Sequence, residues 1–284
     1  MTVQKTIGAV LLCCGLLLGA AILWRSIRER EAFRAEKGNF ALLGIMEIAV
    51  YFCATLGISD FLLNTIPYRQ MRLAEDKKLP GTLIAAGLVP GSVIAFSLLQ
   101  VDNPVELPTL ILCSASIAAG CVLGARLVGR IDGSKIRRVL GIALIGSLIA
   151  LIVKIIVSSG ATGTAVGLTP AQLAIAVPFS IFWGVVNMLG VPGKPAGTAF
   201  FLIMGMSPLS TITLVLVMGC IGPMSGSIHV VRGGNYHRKL CSAAVIFGSV
   251  GAILGTLFAI SINATLLNIL LLAVMLIAIF SMFR

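Results

Sequence analysis

Charge is scarce in this chain. Asp, Glu, Lys and Arg make up 11% of its 284 residues, and only ten residues are acidic, against roughly 25% charged residues in a soluble globular domain. So small a supply cannot solvate the surface of a chain this long, which excludes an ordinary water-soluble fold. Histidine is nearly missing, at two residues, and the seven cysteines (13, 14, 53, 113, 121, 220 and 241) form no C-x-x-C or Cys/His ligand spacing. That removes zinc sites and dithiol redox motifs and leaves buried free thiols. No nucleophile/base or cofactor constellation appears either, so the expectation is no enzyme activity, no metal and no cofactor.

Apolar length is what the chain has instead: 58% hydrophobic residues and a mean hydropathy of +1.07. The reading is an all-α integral membrane protein. A formal net charge of +11 suits nucleic acid at first sight. The basic residues, however, sit in short loops between apolar stretches, where they orient a membrane chain. No nucleic-acid motif accompanies them, so the expected surroundings are membrane lipids.

Residues 3 to 24 read as a retained first span. Cys13 and Cys14 resemble a lipoprotein site, but Leu12 precedes them and the apolar run continues to Trp24. Arg25, Arg28, Arg30, Arg34 and Lys37 follow at once and hold that end in the cytoplasm, against a cleaved signal peptide. Residues 25 to 37 fit a short helix at the inner interface. An apolar stretch from 40 to 66 breaks at Gly57-Ile-Ser-Asp60 and ends before Pro67, and a loop with Arg69, Arg72, Lys77 and Lys78 follows. Spans are expected at about 80 to 100, 108 to 128 and 139 to 157, each near the roughly 20 residues a bilayer needs. A second broken stretch covers 170 to 206. Later spans fall near 208 to 230, 241 to 260 and 264 to 283.

The second break, Gly190-Val-Pro-Gly-Lys-Pro195, cannot continue a helix, because proline lacks the N–H and glycine raises the entropy loss. In hydrocarbon the freed backbone groups cost several kcal/mol each, so such a break needs protein or a water-filled cavity around it. Parity places both broken stretches. A full crossing by 40 to 66 puts the basic loop 67 to 79 outside, whereas a hairpin returning to the cytoplasm keeps it inside. With 170 to 206 folding back from outside, 18 of the 21 basic residues fall at the inner face, Lys5, Lys154 and Lys194 excepted. The N terminus is then outside and the C terminus cytoplasmic, in a cell (inner) membrane.

The chain also repeats itself. Gly120-Cys-Val-Leu-Gly124 matches Gly251-Ala-Ile-Leu-Gly255 at an offset of 131, while Leu56-Gly-Ile58 matches Leu189-Gly-Val191 and Pro90-Gly-Ser92 matches Pro223-Met-Ser225 at 133. The predicted organisation is an extra N-terminal helix and basic linker (1–39), a first repeat (40–158) and a second repeat (170–284). Each repeat is a re-entrant hairpin plus three spans. Three is odd, so the second copy is inverted. Inverted repeats with paired broken helices point to a secondary transporter with its site at their interface.

The expected substrate-binding residues are Gly57, Ser59, Asp60 and Asn64 at the first break, and Asn187, Gly190, Gly193, Lys194 and Thr198 at the second. Pro90, Ser92, Pro223 and Ser225 at the matched span kinks complete the set. Ionisable groups at membrane depth are functional by default, and Lys194 and Asp60 stand out for that reason, although two such groups can also simply pair. The prolines and serines fit plain kinks whose freed carbonyls the serines satisfy. Glu47 reads as a group near the inner interface, and His229 and His237 as interfacial. The Gly-x-x-x-Gly pairs read as helix-packing faces.

With these residues in view, the chain resembles the sulfite exporter family of TauE/SafE type over about residues 40 to 284. The resemblance rests on Gly57-Ile-Ser-Asp-Phe-Leu-Leu-Asn-Thr-Ile-Pro67, on Gly120 through Arg138, on Met204-Gly-Met-Ser-Pro208 and on Gly234-Asn-Tyr-His-Arg-Lys239. It implies a bacterial or archaeal multi-pass permease for small anions, often sulfite or organosulfonates. Where the family has a run of glycines, this chain has Ser59-Asp60 at the first turn and Lys194 at the second. The expected function is alternating-access transport of a small anion with a coupled proton. Export of an amino acid or other zwitterion, and a non-transporting scaffold subunit, are the alternatives. Oligomeric state stays open.

Overall fold

The computed structural model describes residues 3–56, 58–75, 78–100, 105–128, 149, 163–190 and 193–261. The expected span 139 to 157 except residue 149, the span 264 to 283, the linker 129 to 138 and Gly57 lie outside the described residues. Within them the chain is helical: α1 (Val3–Arg28), α2 (Arg30–Ala35), α3 (Phe40–Thr55), α4 (Asp60–Gln70), α5 (Leu79–Gln100), α6 (Leu107–Val128), α7 (Pro170–Met188), α8 (Lys194–Ile203) and α9 (Pro208–Gly233). A last rod begins as α10 (Arg238–Ala243), passes through a π-helical turn (Ala244–Gly248) and continues as α11 (Ser249–Ser261). Six stretches among the described residues are long and apolar enough to cross a membrane: α1, α5, α6, α7, most of α9 and the rod from Arg238 to Phe258. The protein is a multi-pass membrane protein.

Both breaks fall where sequence chemistry puts them. The helix α3 ends at Thr55 with Leu56 as its C-cap and α4 begins at Asp60, while α7 ends at Met188 with Leu189 as its C-cap, Gly190 turns with φ +83°, and α8 begins at Lys194. A left-handed φ is one that glycine adopts without a Cβ penalty. The arms are unequal: α3 has 16 residues and α7 has 19. At 1.5 Å per residue α7 spans about 28 Å, close to the whole hydrocarbon thickness. A hairpin built on it reaches past the midplane unless it lies tilted.

One end of the bundle gathers the basic groups. Arg25 at the end of α1 donates to the carbonyls of Val231 and Arg232, Arg238 pairs with Glu29, and the Lys239 N–H donates to Glu36 at 2.8 Å. The His237 N–H donates to Thr82 at the start of α5, and Leu73, just beyond α4, lies with Leu43 around Gly38. This end therefore holds the starts of α3, α5 and α10 and the ends of α1, α4 and α9. Arg25 beside Glu29 holds that carboxyl below its usual range. His237, expected at the interface, is buried. It caps α10 by accepting from the Leu240 N–H, and burial pushes its imidazole below the ordinary value. At the opposite end Gln4 donates to the Val105 carbonyl, the Glu106 N–H to Val166, the Leu168 N–H to Thr109, and Gln172 to Met204. The α3–α4 hairpin thus opens at the basic end and the α7–α8 hairpin at the other.

Small residues let the long helices approach. On α6, a Cβ at Gly120 would stand 2.1 Å from the Ile181 carbonyl oxygen, and one at Gly124 would stand 2.7 Å from that of Val185. On α11, a Cβ at Gly251 would stand 2.2 Å from the Ile48 carbonyl oxygen, and one at Gly255 would stand 2.8 Å from that of Phe52. Contacts of α6 on α7 therefore reappear as contacts of α11 on α3, at offsets of 131 and 133. Gly120→Ala and Gly251→Ala should each lower the thermal midpoint in detergent by similar amounts, because overpacking typically costs about 1–3 kcal/mol. Gly233→Ala, with open space at its Cβ, is the control and should leave the midpoint in place.

Candidate functional site

The two helix breaks meet. Asp60, the first residue of α4, and Lys194, the first of α8, come together with Lys194 Nζ 2.6 Å from Asp60 Oδ1. The side chains are 7% and 15% exposed. Each charge sits at a helix N-terminus, where the positive end of the macrodipole favours the carboxylate and opposes the ammonium. Lys194 is therefore a cation placed against its own helix. A neighbouring carboxylate offsets that, and Asp60 is placed to be it.

Two cavities flank the pair. One is lined by Tyr51, Asp60, Gly87, Gly91, Lys194, Leu216, Gly219, Cys220 and Pro223, with Phe61, Ile84, Leu88 and Ile94. The second is lined by Ser59, Asp60, Phe61, Trp183, Asn187, Gly193, Lys194, Gly219 and Pro223. The ion pair belongs to both walls. Lys194 lies along α9 because Gly219 has no side chain there: a Cβ would meet Lys194 Cε at 3.2 Å.

Around the second cavity, donors are left without partners. Ser59 Oγ and Trp183 Nε1 are buried and, among the described residues, have no hydrogen-bond partner. A buried polar group without a hydrogen bond costs about 1–3 kcal/mol, so such groups call for an explanation. Trp183 owes its position to glycine: a Cβ at Gly193 would stand 1.8 Å from the indole Nε1, and one at Gly197 would stand 2.5 Å from its Cη2. The indole lies flat against the first turn of α8. Ser59 precedes α4 without a side-chain bond that caps it.

The structure brings Ser59, Asp60, Asn187, Gly193, Lys194 and Pro223 to the cavity walls. Apart from Gly57, which lies outside the described residues, it places the other expected residues elsewhere. Thr198 donates back to the Lys194 carbonyl, and Asn64 turns to Glu47 on α3. Ser92 donates to the Val89 carbonyl and lies against Gly15 of α1, while Pro90 packs on the π turn at Gly248. Ser225 donates to Gly222 and to Ala118 of α6, and Gly190 forms the turn. Glu47 is not at an interface: it is fully buried, accepting from Tyr68 and from Asn64 at 3.5 Å.

Sequence reasoning passed over Tyr51, Trp183, Gly219 and the interior place of Glu47. A signal existed for some of them. Trp183 is four residues before Asn187 on one helix face, and Glu47 and Tyr51 share a face at the same spacing. Among the described residues, no three His, Cys, Asp or Glu side chains gather as a metal site.

Broken helices meeting at a polar cavity inside membrane-length helices define a multi-pass membrane transporter. The chain belongs to the sulfite exporter TauE/SafE family, whose profile matches residues 77–282. Lys194, Trp183 and Gly219 lie within the matched segment, whereas Asp60 and Glu47 precede it. No curated protein and no solved structure matches the chain at a significant level.

Proposed function

We propose that this protein is a secondary transporter of a small oxyanion such as sulfite, bound at Lys194 between the N-termini of α4 and α8. One observation carries the reading: the partly buried Lys194 ammonium, paired to Asp60, lines a single small cavity beside two helix starts together with an indole N–H and a serine hydroxyl that have no partner among the described residues. All are donors, and helix N-termini favour negative charge. A pyramidal or tetrahedral oxyanion supplies an acceptor to each. Asn187 adds an amide at the same wall.

The proposed mechanism is alternating access between two inverted repeats. Its support is the exchange of contacts between α6–α7 and α11–α3 and the opening of the two hairpins at opposite ends. The gathering of Arg25, Arg232, Arg238 and Lys239 at one end supports that end as cytoplasmic. An arriving anion displaces Asp60 from Lys194, and the released carboxylate takes a proton, so that one proton accompanies each anion.

The test is flux in proteoliposomes made from the purified protein, with sulfite, sulfate, an organosulfonate and a zwitterionic amino acid compared. Saturable sulfite or organosulfonate flux that a proton gradient drives is the expected result. The Asp60–Lys194 pair also offers both charges a zwitterion needs, so flux of the amino acid alone would move the assignment to that class. No flux of any probe above protein-free liposomes overturns transport.

A further inference from the structure

The hairpin α3–α4 carries polar groups that an anion site does not need. Glu47 and Tyr51 share one face of α3, and Asp60, Asn64 and Tyr68 share one face of α4, each at four-residue spacing. Tyr68 donates its hydroxyl to Glu47 Oε1, and Asn64 Nδ2 donates to Glu47 Oε2 at 3.5 Å. Tyr51 and Asp60 flank Gly87, with Tyr51 Oη and Asp60 Oδ2 3.6 and 3.3 Å from where its Cβ would lie. A column of polar groups thus runs from the ion pair to the basic end of the bundle.

Glu47 is the carboxyl in that column without a cation. The titratable groups facing it are Asp60 and Tyr68 of α4, Tyr51 of its own helix and Cys241 of α10. The facing helix α5, the π turn and α11 contain no titratable residue. Among the described residues, no basic side chain acts on Glu47. A charged carboxylate there stands uncompensated at zero exposure, and buried charges without partners neutralise. Asn64 Oδ1 and Tyr51 Oη both lack partners. A proton on Glu47, with the Asn64 amide turned over, supplies the donor that Asn64 Oδ1 is missing; which amide end faces a group is set by such bonds.

Resting on the transport reading, we propose that Glu47 is the proton-binding site that feeds Asp60. In the resting protein Glu47 holds the proton and Asp60 is the carboxylate paired with Lys194. When the anion takes Lys194, the Glu47 O–H bond breaks and the proton passes by Tyr51 and cavity water to Asp60. Glu47 becomes the carboxylate, held by the Tyr68 hydroxyl and the Asn64 amide. A cytoplasmic proton arriving past Tyr68 restores it, and the net count is one proton per anion. Both Glu47 forms have partners in this site, as a relay group requires.

Glu47→Gln keeps the shape and imitates the protonated form. In nanodiscs at neutral pH, infrared difference spectroscopy should show the C=O stretch of a buried protonated carboxyl in the wild type. That band should be missing in Glu47→Gln and retained in Asp60→Asn. In proteoliposomes holding a pH dye, Glu47→Gln should still exchange labelled sulfite across the bilayer. Its sulfite-dependent proton signal should fall about a hundredfold, the low end of what a positioned proton-transfer group contributes. Absence of the band, or an undiminished proton signal in Glu47→Gln, overturns the proposal. If the wild type moves no anion at all, the transport reading falls by itself. The infrared measurement then still decides whether Glu47 holds a proton, and only its coupling role is lost.

Discussion

Lys194→Ala should lower the affinity for sulfite or another accepted oxyanion by about one to two orders of magnitude, since a hydrogen bond to a charged group contributes about 1.5–3 kcal/mol. The single variant carries a second effect. Removing one partner of a buried pair typically costs about 3–5 kcal/mol, because the other charge is left uncompensated, and Asp60 is that charge here. The informative protein is the double variant Asp60→Asn with Lys194→Ala, which removes both charges and should melt near the wild type. It should still fail to bind the anion in a ligand-dependent thermal-shift measurement. Lys194→Arg keeps the charge, but the slot against Gly219 admits an aliphatic stem at 3.2 Å and a planar guanidinium presents a different shape. An intermediate affinity is expected. Wild-type affinity in the double variant would sink the role of Lys194.

Asp60→Asn should act in the opposite direction on binding. The wild-type anion must displace a carboxylate 2.6 Å from the ammonium; the amide of asparagine competes more weakly and imitates the protonated carboxyl. Apparent affinity should rise by about tenfold if the displaced contact is worth about 1.4 kcal/mol, while turnover falls because release no longer regains an ion pair. The pH dependence of flux should disappear. Uptake measured across a series of external pH values separates the two effects. A proton dependence undiminished in Asp60→Asn would rule out the carboxylate as the coupling group. Charge repulsion adds a check: the early N–H groups of α4 then have no carboxylate at their first position, so anions lacking a proton should gain most.

Much of the framework was legible in the residues. Class followed from the shortage of charge, and the helix breaks from Gly190 to Pro195 and around Ser59-Asp60, since proline and glycine act through the local backbone. The repeat offset placed Asp60 level with Gly193, one residue from the lysine it pairs with. Side-chain direction was not legible. Ser92 and Ser225 stand at matched kinks, yet one lies on α1 and the other on α6, because each kinked helix has one face toward the cavity and others against neighbours. Thr198 is spent on its own helix. Glu47 looked like an interfacial charge since its apolar surroundings come from helices far along the chain.

What the sequence by itself determined is therefore what depends on local chemistry or on totals: a membrane protein, helical, broken at two places by glycine and proline. The tertiary structure alone decided which polar groups share a space. It put Trp183 against Gly193, left its N–H and the Ser59 hydroxyl unpartnered beside Lys194, and turned Asn64 and Tyr68 toward Glu47. The physical reason is that backbone breaks follow from hydrogen-bonding capacity and steric limits within a few residues. A site, in contrast, is made by packing between helices, some of them 134 residues apart as Asp60 and Lys194 are, and only the packed helices show which donors remain free.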